Sequence, residues 1–457
     1  MTHLGDVSFW YADIGLPTTR RPALHGPSQA DVAIIGAGYT GLWTAYYLKK
    51  AAPHLRVTVL DKHFAGFGAS GRNGGWLTGG FAWNHATYAR HAGRDAVLRM
   101  VQAMSGTVDE VIRVTEAEGI DADIRRTDEL MVATNRAQLA RARAEVAHRQ
   151  QWGEDGRIHL LGAEETRARI AMPGALGALL LNGVARVQPA KLVRGLAEAV
   201  ERLGVVIHEG SEVTAIAPGR VTTALGDLRA PIVLRCTEGF TADLPGLRRQ
   251  WLPLNSAQIV TEPLSPETWE QIGWQGHEIL GDFANSYCYC QRTREGRIAV
   301  GGRGVPYRWG SGIDRDGVPD AETIRRLVAI LHRHFPAARQ ARIDHAWCGV
   351  LAVPRDWCAT VGLGADGIGW AGGYVGVGVS TTNLAGRTLA DLALGRQSAL
   401  TGLPWVGHQV RRWEPEPLRW LGVRGMYGLF AAADRAEARG GGPSRLAGLG
   451  AWLTGRG

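Results

Sequence analysis

Lysine is almost missing from this chain: Lys49, Lys50, Lys62 and Lys191 are the only four, so 47 of the 51 basic residues are arginine. The basic residues are scattered. No basic helix or aromatic-interleaved stripe forms, which argues against a nucleic-acid partner despite a formal net charge of +8. A cationic surface around an anionic cofactor or substrate suits that charge better, because guanidinium groups hold anions bidentately. Cysteine is scarce and odd in number, with five residues at 236, 288, 290, 348 and 358. They show no pairwise spacing, and Arg20-Arg21 is followed by Pro22 and polar residues rather than an apolar leader. Both features predict reduced thiols and a cytoplasmic protein. No apolar run reaches the length of about 18 residues that a membrane span needs.

Glycine, by contrast, is abundant: 62 residues, about twice the usual share. There is neither a Gly-X-Y period nor a Gly/Ser linker to absorb them. They cluster in short loops, as expected where backbone must approach a ligand closely. Apolar residues at 45% and charged residues at 21% exclude wholesale disorder. The 457 residues allow roughly three domain-equivalents with a large buried core.

Residues 1–30, rich in Pro and Arg, read as an extended arm. The run 31–36 (DVAIIG) reads as a buried strand, 41–52 as a helix ended by Pro53, and 56–61 (RVTVLD) as a second strand. Strand, helix and strand within about 30 residues make a βαβ unit and imply a parallel sheet. A second unit begins at 190–203, where Leu192, Leu196, Val200 and Leu203 share one helical face and Gly204 ends it. Strands at 205–208, 212–216 and 231–236 follow. Between the units, 95–118 and 136–151 read as helices and 126–134 as a strand. From 251 to 304 the chain alternates in strand fashion, with a hairpin of 286–292 and 297–302 turning at 294–296. A helix at 320–333, a strand at 369–371 and a helix at 378–395 complete the series. The pattern predicts an α/β protein. A Rossmann-like, parallel-sheet domain (31–90, 186–250 and 345–400) carries an inserted, mostly antiparallel α+β substrate or cap domain (91–185 and 251–344). In the tail, 401–457, Arg411, Arg412, Trp413, Trp420 and Leu421 could touch a membrane surface. Glu414-Pro415-Glu416-Pro417 interrupts any continuous amphipathic helix there, so a segment capping the body is expected.

Gly36-Ala37-Gly38-Tyr39-Thr40-Gly41 is the most informative motif. A second GxGxxG, from Gly362 to Gly367, is followed by a strand-like run rather than a helix. The first match has a buried strand before it, a helix after it and Asp61 twenty residues beyond Gly41. That context lets a pyrophosphate sit on N–H groups at a helix N-terminus while Asp61 accepts from ribose hydroxyls. NAD and FAD both fit this unit alone. A second loop, Gly66-Phe67-Gly68-Ala69-Ser70-Gly71-Arg72-Asn73-Gly74-Gly75, can wrap a longer cofactor. A third, Gly372-Gly373-Tyr374-Val375-Gly376-Val377-Gly378, lies between a strand and a helix, whose N-terminus could face an anionic ring system.

The three loops, in this order and spacing, resemble the D-amino-acid/glycine/sarcosine oxidase family of FAD enzymes. Within it the chain looks most like the γ-glutamylputrescine-oxidoreductase branch. The stretches SFWYADIG, DVAIIGAGYTGLWTAYYLKK, GFGASGRNGGW, QPAKLVRGLAEA, VGGRG, AWCGVLAVPRDW and GWAGGYVGVGVSTTNLAGRTLADL carry the likeness across most of 7–400. The resemblance implies a split FAD domain and an antiparallel substrate domain. It also implies hydride removal from a C–N bond to flavin N5, giving an imine that hydrolyses. By matching position it implies FAD contacts from Gly36, Gly38, Gly41, Asp61, Lys62, Ser70, Arg72, Asn73, Gly74 and Gly75. Val213, Thr237, Gly373, Tyr374, Gly376 and Gly378 join that set.

Sarcosine-oxidase relatives attach FAD through a cysteine shortly before a Pro-Asp pair. Here Pro354-Arg355-Asp356 marks the region, the expected position is Gly349, and Cys348 falls one residue early. Non-covalent FAD is therefore the expectation, with Cys348 the candidate for a thioether. The His and Lys of the sarcosine-oxidase third loop are replaced by Val377 and Ser380, which removes a cation for a substrate carboxylate. Tyr287, Tyr289 and Arg303 on the hairpin are the candidate pocket walls. Cys288 and Cys290 share a face, but two ligands do not make a zinc site, and no metal is expected. The predicted partners are a small amine and O2 as electron acceptor. A dehydrogenase feeding a quinone or carrier protein is the alternative, and a non-catalytic FAD-holding subunit is a reading from another class. The absence of a second GxGxxG in strand–helix context disfavours an NADPH-using monooxygenase. Substrate identity and oligomeric state stay open.

Overall fold

The computed structural model describes residues 2–302, 307–313, 316–444, 447–448 and 450. Continuous apolar runs form a six-stranded sheet. Its order is Thr360–Leu363, Ile368–Gly372, Ile232–Arg235, Val32–Ile35, Val57–Leu60 and Val206–His208. The last five strands are parallel and the edge strand Thr360–Leu363 is antiparallel. Val32–Ile35 and Val57–Leu60 are buried throughout, as a sheet covered on both faces requires. Helices Tyr39–Ala51, Pro189–Arg202 and Gly378–Ala393 belong to this region, and Trp43, Leu196 and Leu389 share one core. Gly386 lets two of these helices touch. A Cβ there would stand 2.6 Å from the Trp43 Cβ and 2.8 Å from the Thr44 backbone nitrogen.

A ten-stranded, mostly antiparallel sheet lies beyond. Its path runs His3–Leu4, Ile343–Val353, Leu252–Thr261, Ile298–Gly302, Tyr289–Arg292, Ile279–Asp282, Arg125–Ala133, Gly177–Arg186 and Trp76–Leu77. Ile158–Gly162 pairs with Gly177–Arg186 off this path. Strand alternation divides the sheet. Leu130, Val132, Ala257, Ile259, Cys288, Cys290 and Cys348 share a core with Leu327, Leu331 and Trp274, while Glu129, Met131, Ser256 and Gln258 line a cavity on the opposite face. A small four-stranded sheet joins Val213–Ala217, Arg220–Thr223, Gly226–Arg229 and Gly26–Gln29.

Several elements differ from the sequence expectation. The arm is not simply extended. His3–Leu4 adds to the large sheet, Gly26–Gln29 adds to the small one, and Phe9–Ile14 is a helix capped by Ser8. Its apolar triplet Phe9, Trp10 and Tyr11 is buried, which is why this stretch folds. The strand Ile343–Val353 lies in the large sheet, paired with Leu252–Thr261, rather than beginning the third piece of the cofactor region. In the hairpin the first strand begins only at Tyr289, leaving Tyr287 in the preceding loop. The second GxGxxG, as expected, runs into a strand, Ile368–Gly372. In the tail, the proline stretch precedes a 21-residue helix, Leu418–Ala438, rather than breaking one. No helix among the described residues is long and apolar enough to cross a membrane.

Candidate active site

The first glycine loop is built so that backbone lies against backbone. Gly36 has φ +104°, and a Cβ there would stand 2.7 Å from the Cys236 carbonyl oxygen. At Gly41 it would stand 2.0 Å from the Gly36 carbonyl oxygen. Gly38 caps the helix Tyr39–Ala51 without a side chain, and the Tyr39 N–H donates to Ser70 Oγ at 2.8 Å. Asp61 directly follows the strand Val57–Leu60. Its two oxygens accept from the N–H groups of Ala37 and His63, each at 2.8 Å. Burial pushes this carboxyl up to about 6, against the pull of those two donors. Lys62 does not stand alone, because its Nζ pairs with Glu212 at 2.5 Å. Val213 and Thr237 follow on neighbouring segments and line the same cavity; Thr237 Oγ1 bonds Thr241 Oγ1 at 2.8 Å.

The second loop is knitted by its own side chains. Asn73 Nδ2 donates to the carbonyls of Ala69 and Ser70, and its Oδ1 accepts from the Gly75 N–H. Arg72 is buried, with Nε donating to the Phe67 carbonyl (2.7 Å) and Nη1 to the Cys348 carbonyl (3.2 Å). The N-terminal arm braces the loop from outside through Ser8 Oγ to the Gly71 carbonyl (2.6 Å) and Trp10 Nε1 to the Asn73 carbonyl (2.7 Å). Gly75, with φ +69°, has no room for a Cβ, which would meet the Val187 carbonyl oxygen at 2.3 Å.

The third loop depends on a residue that sequence reasoning missed. Glu238 Oε1 accepts from the N–H groups of Gly373 (3.1 Å) and Tyr374 (3.0 Å), and Oε2 accepts from Ala352 (2.7 Å). Burial pushes the Glu238 carboxyl up to about 7. Tyr374 Oη bonds Thr40 Oγ1 at 2.9 Å, joining the third loop to the first helix. Gly378 opens the helix Gly378–Ala393. Ser380 donates to the Thr78 carbonyl at 2.5 Å.

One cavity of about 650 Å³ connects these loops. It starts at Gly36 and Asp61, passes Ser70, Asn73 and Gly376, and ends in a chamber against the large sheet. Gly36, Gly38, Gly74, Gly376 and Gly378 put bare backbone on its walls, and a buried carboxyl, Asp61, stands at the end of the second parallel strand against the first glycine loop. That arrangement fits an extended dinucleotide. In the chamber, Tyr289 Oη bonds Ser256 Oγ at 2.9 Å, and its ring packs on Gly74 and Gly301. Tyr287 Oη lies 3.9 Å from where a Gly376 Cβ would be. Arg303 lies outside the described residues. The Cys348 thiol belongs to the apolar core behind the sheet, and its neighbour Gly349 lines the cavity. Strand alternation thus turns the candidate thiol away from the site. Cys288 lies with Asp282 and His334, their ligand-type atoms within 4.8 Å of one another. Asp282 and His334 are already hydrogen-bonded at 3.1 Å.

Sequence reasoning also missed the charged chamber lining. Arg141, Glu145 and Arg149 come from the helix Arg136–Arg149 at every fourth position, hence from one face. That spacing was visible, but most such stripes face solvent. Arg141 pairs bidentately with Glu437 of the tail helix (2.9 and 2.7 Å). Asp434 of the same helix accepts from the N–H groups of Asn285 and Ser286, two residues beside Tyr287.

Among curated proteins, the chain is 32% identical over 384 residues to gamma-glutamylputrescine oxidoreductase of Escherichia coli (strain K12), spanning 82% of this chain and 86% of that one. It is 25% identical over 378 residues to glycine oxidase of Bacillus licheniformis, spanning 80% and 93%. Among solved structures, glycine oxidase from Geobacillus kaustophilus superposes with a TM-score of 0.69 at 20% identity, over 84% of this chain and 99% of that one. L-proline dehydrogenase from P. horikoshii gives 0.69 at 19% identity, over 83% and 98%; at such identities the likeness concerns the fold. The family model of FAD dependent oxidoreductases (DAO) matches residues 31–392. With the glycine cradle, the crossover carboxyl and this match in agreement, the chain belongs to the FAD dependent oxidoreductase family and FAD is its cofactor.

Proposed function

We propose that the protein oxidises a C–N bond of a small amine and passes the electrons to O2. The reading rests on the continuity of the cavity: the cofactor cradle opens directly into the chamber on the large sheet. The names of the curated relatives, one acting on gamma-glutamylputrescine and one on glycine, support an amine or amino-acid substrate. The six-stranded sheet and its helices act as the cofactor unit and the ten-stranded sheet as the substrate unit.

Gly36, Gly38 and Ser70 would hold the pyrophosphate, and Asp61 would accept from the ribose hydroxyls. Asn73 and Gly74 line the same cavity and would follow the chain of the cofactor, with Gly75 shaping their turn from behind. Arg72 shapes that loop by bonding two carbonyls. Gly373, Gly376 and Gly378 lie at the ring end, with Tyr374 locking their loop to Thr40. Bound FAD supplies the hydride acceptor. The chain's task is then to hold the substrate C–H bond against it and keep water away. Tyr289, fixed by Ser256, and Met131 and Leu179 on the sheet face give the chamber a firm, largely apolar floor. A neutral amine gives up hydride without a strong base, so the walls orient and desolvate. The imine leaves and is hydrolysed in water. FAD is held without a covalent bond, in keeping with a Cys348 thiol turned into the core. Five buried thiols fit a cytoplasmic location.

Anaerobic mixing of the FAD-loaded protein with a broad amine panel tests this reading. Bleaching of the flavin absorbance by at least one amine is expected, followed in air by one peroxide per amine consumed. A panel that never bleaches the flavin removes the amine assignment. Dye reduction without peroxide removes O2 as acceptor and leaves a dehydrogenase.

A further inference from the structure

The chamber end of the cavity is lined by five charged side chains: Glu129, Arg141, Glu145, Arg149 and Asp282. Three already have partners of opposite sign. Arg141 donates to both oxygens of Glu437 and, through Nε, to the Phe283 carbonyl at 2.9 Å. Arg149 donates through Nε and Nη2 to Glu154 at 2.6 and 2.8 Å. Asp282 accepts from His334. Glu129 and Glu145 have no ion-pair partner among the described residues. Arg149 also faces Glu129, but its guanidinium is bonded to Glu154.

Glu129 is held ready rather than left loose. It projects from the strand Arg125–Ala133 on the cavity face, one pleat from Met131. Thr78 Oγ1 donates to its Oε2 at 2.8 Å and accepts from the Gly80 N–H at 3.2 Å. The Thr78 carbonyl is fixed in turn by Ser380. This chain of bonds sets the carboxyl against the sheet and leaves its second oxygen for another donor. Burial pushes Glu129 above the usual carboxylate range, against the pull of the Arg149 guanidinium and the Thr78 hydroxyl. An ammonium arriving beside it offsets that desolvation, as a paired buried charge does. The chamber's Arg141 and Arg149 do not do the converse for a substrate carboxylate, because each is already bonded to a glutamate.

We propose that Glu129, with Glu145 beside it, is an ammonium-binding subsite that selects substrates carrying a second positive charge, of the diamine or polyamine class, over amines with neutral or anionic tails. The proposal rests on the amine-oxidising reading and deepens it. Loss of one charge-assisted hydrogen bond in a buried site corresponds to about 10- to 100-fold in discrimination.

The test uses the FAD-loaded full chain and three ligand series: α,ω-diamines from propane to hexane, the matching alkylamines, and the matching ω-amino acids. Binding is read calorimetrically with the flavin oxidised, and turnover from anaerobic bleaching. The expected result is a diamine favoured about 10- to 100-fold over its alkylamine, with the ω-amino acid weakest. In Glu129→Gln, checked for full FAD content and native Tm, that ratio falls towards one; Glu145→Gln lowers it by less. Equal handling of the three series by the wild type overturns the subsite without touching amine oxidation, and that arm does not depend on any variant folding. Retention of the diamine preference by Glu129→Gln also overturns it. If diamines bind through Glu129 yet nothing bleaches the flavin, the subsite stands and the oxidation reading falls.

Discussion

Replacing Glu238 by Gln tests how the third glycine loop is held. One carboxylate oxygen serves the N–H groups of Gly373 and Tyr374, the other that of Ala352. In Glu238→Gln the amide oxygen can still serve the first two, but its NH2 group then points at the Ala352 N–H, donor against donor. A buried donor stripped of its acceptor costs about 1–3 kcal/mol. For a chain of 457 residues the unfolding entropy at the midpoint is about 1 kcal/mol/K, so the expected fall in Tm is about 1–3 °C. The pH profile gives a second signature. With its carboxyl pushed up to about 7 by burial, the folded protein keeps a proton that the unfolded chain releases from about pH 4.5 upward. The stability attached to this group is therefore fullest below about pH 4.5 and declines as pH rises to about 7, by roughly 3 kcal/mol in all. The Gln variant lacks that decline. Melting curves of the FAD-loaded proteins between about pH 5 and pH 8, read from the fluorescence of released flavin, measure both effects. A variant with wild-type Tm and wild-type pH slope would refute the claim that this carboxyl holds the loop.

Three further outcomes are expected. Gly36→Ala forces a Cβ to within 2.7 Å of the Cys236 carbonyl oxygen at φ +104°, a strain of about 2 kcal/mol or more; the variant should purify with well under half the wild-type flavin, and full occupancy would contradict the cradle. Acid precipitation should leave the yellow colour in the supernatant for wild type and Cys348→Ala alike, because the thiol faces the core; a yellow wild-type pellet that turns colourless in the variant would show a covalent bond. Glu437→Gln weakens the anchor of a partly buried Arg141, at about 1–2 kcal/mol. It should lower kcat/KM several-fold at unchanged FAD content, whereas unaltered kinetics would mean that the tail does not shape the chamber.

The cofactor half of the protein was legible because its chemistry is local. The run VAII, the loop from Gly36 to Gly41 and Asp61 lie within one βαβ unit, and each is recognisable from its immediate neighbours. The same holds for Asn73, whose three hydrogen bonds all close within its own loop. The arm was misjudged because composition outweighed pattern. Pro and Arg suggested an extended chain, yet Phe9-Trp10-Tyr11 after Ser8 is a capped apolar turn that becomes buried against the second loop. Tyr287 was placed on a strand by alternation alone, but the pairing needed to extend that strand stops at Tyr289.

The chamber was hard to read for a different reason. A charged side chain has chemical meaning only relative to its partner, and here the partners come from far along the chain. Arg141 looks like a ready anion site until Glu437, 296 residues later, is found bonded to it. Glu238 looks like an ordinary loop acid until backbone N–H groups more than a hundred residues away converge on it. Glu129 is the reverse case, a carboxyl on a strand whose facing cation, Arg149, is already bonded to Glu154. The tail helix thus neutralises one of the chamber's cations. It lies beyond the 31–392 stretch matched by the family, and its Glu437 occupies Arg141, a cation that lines the cavity.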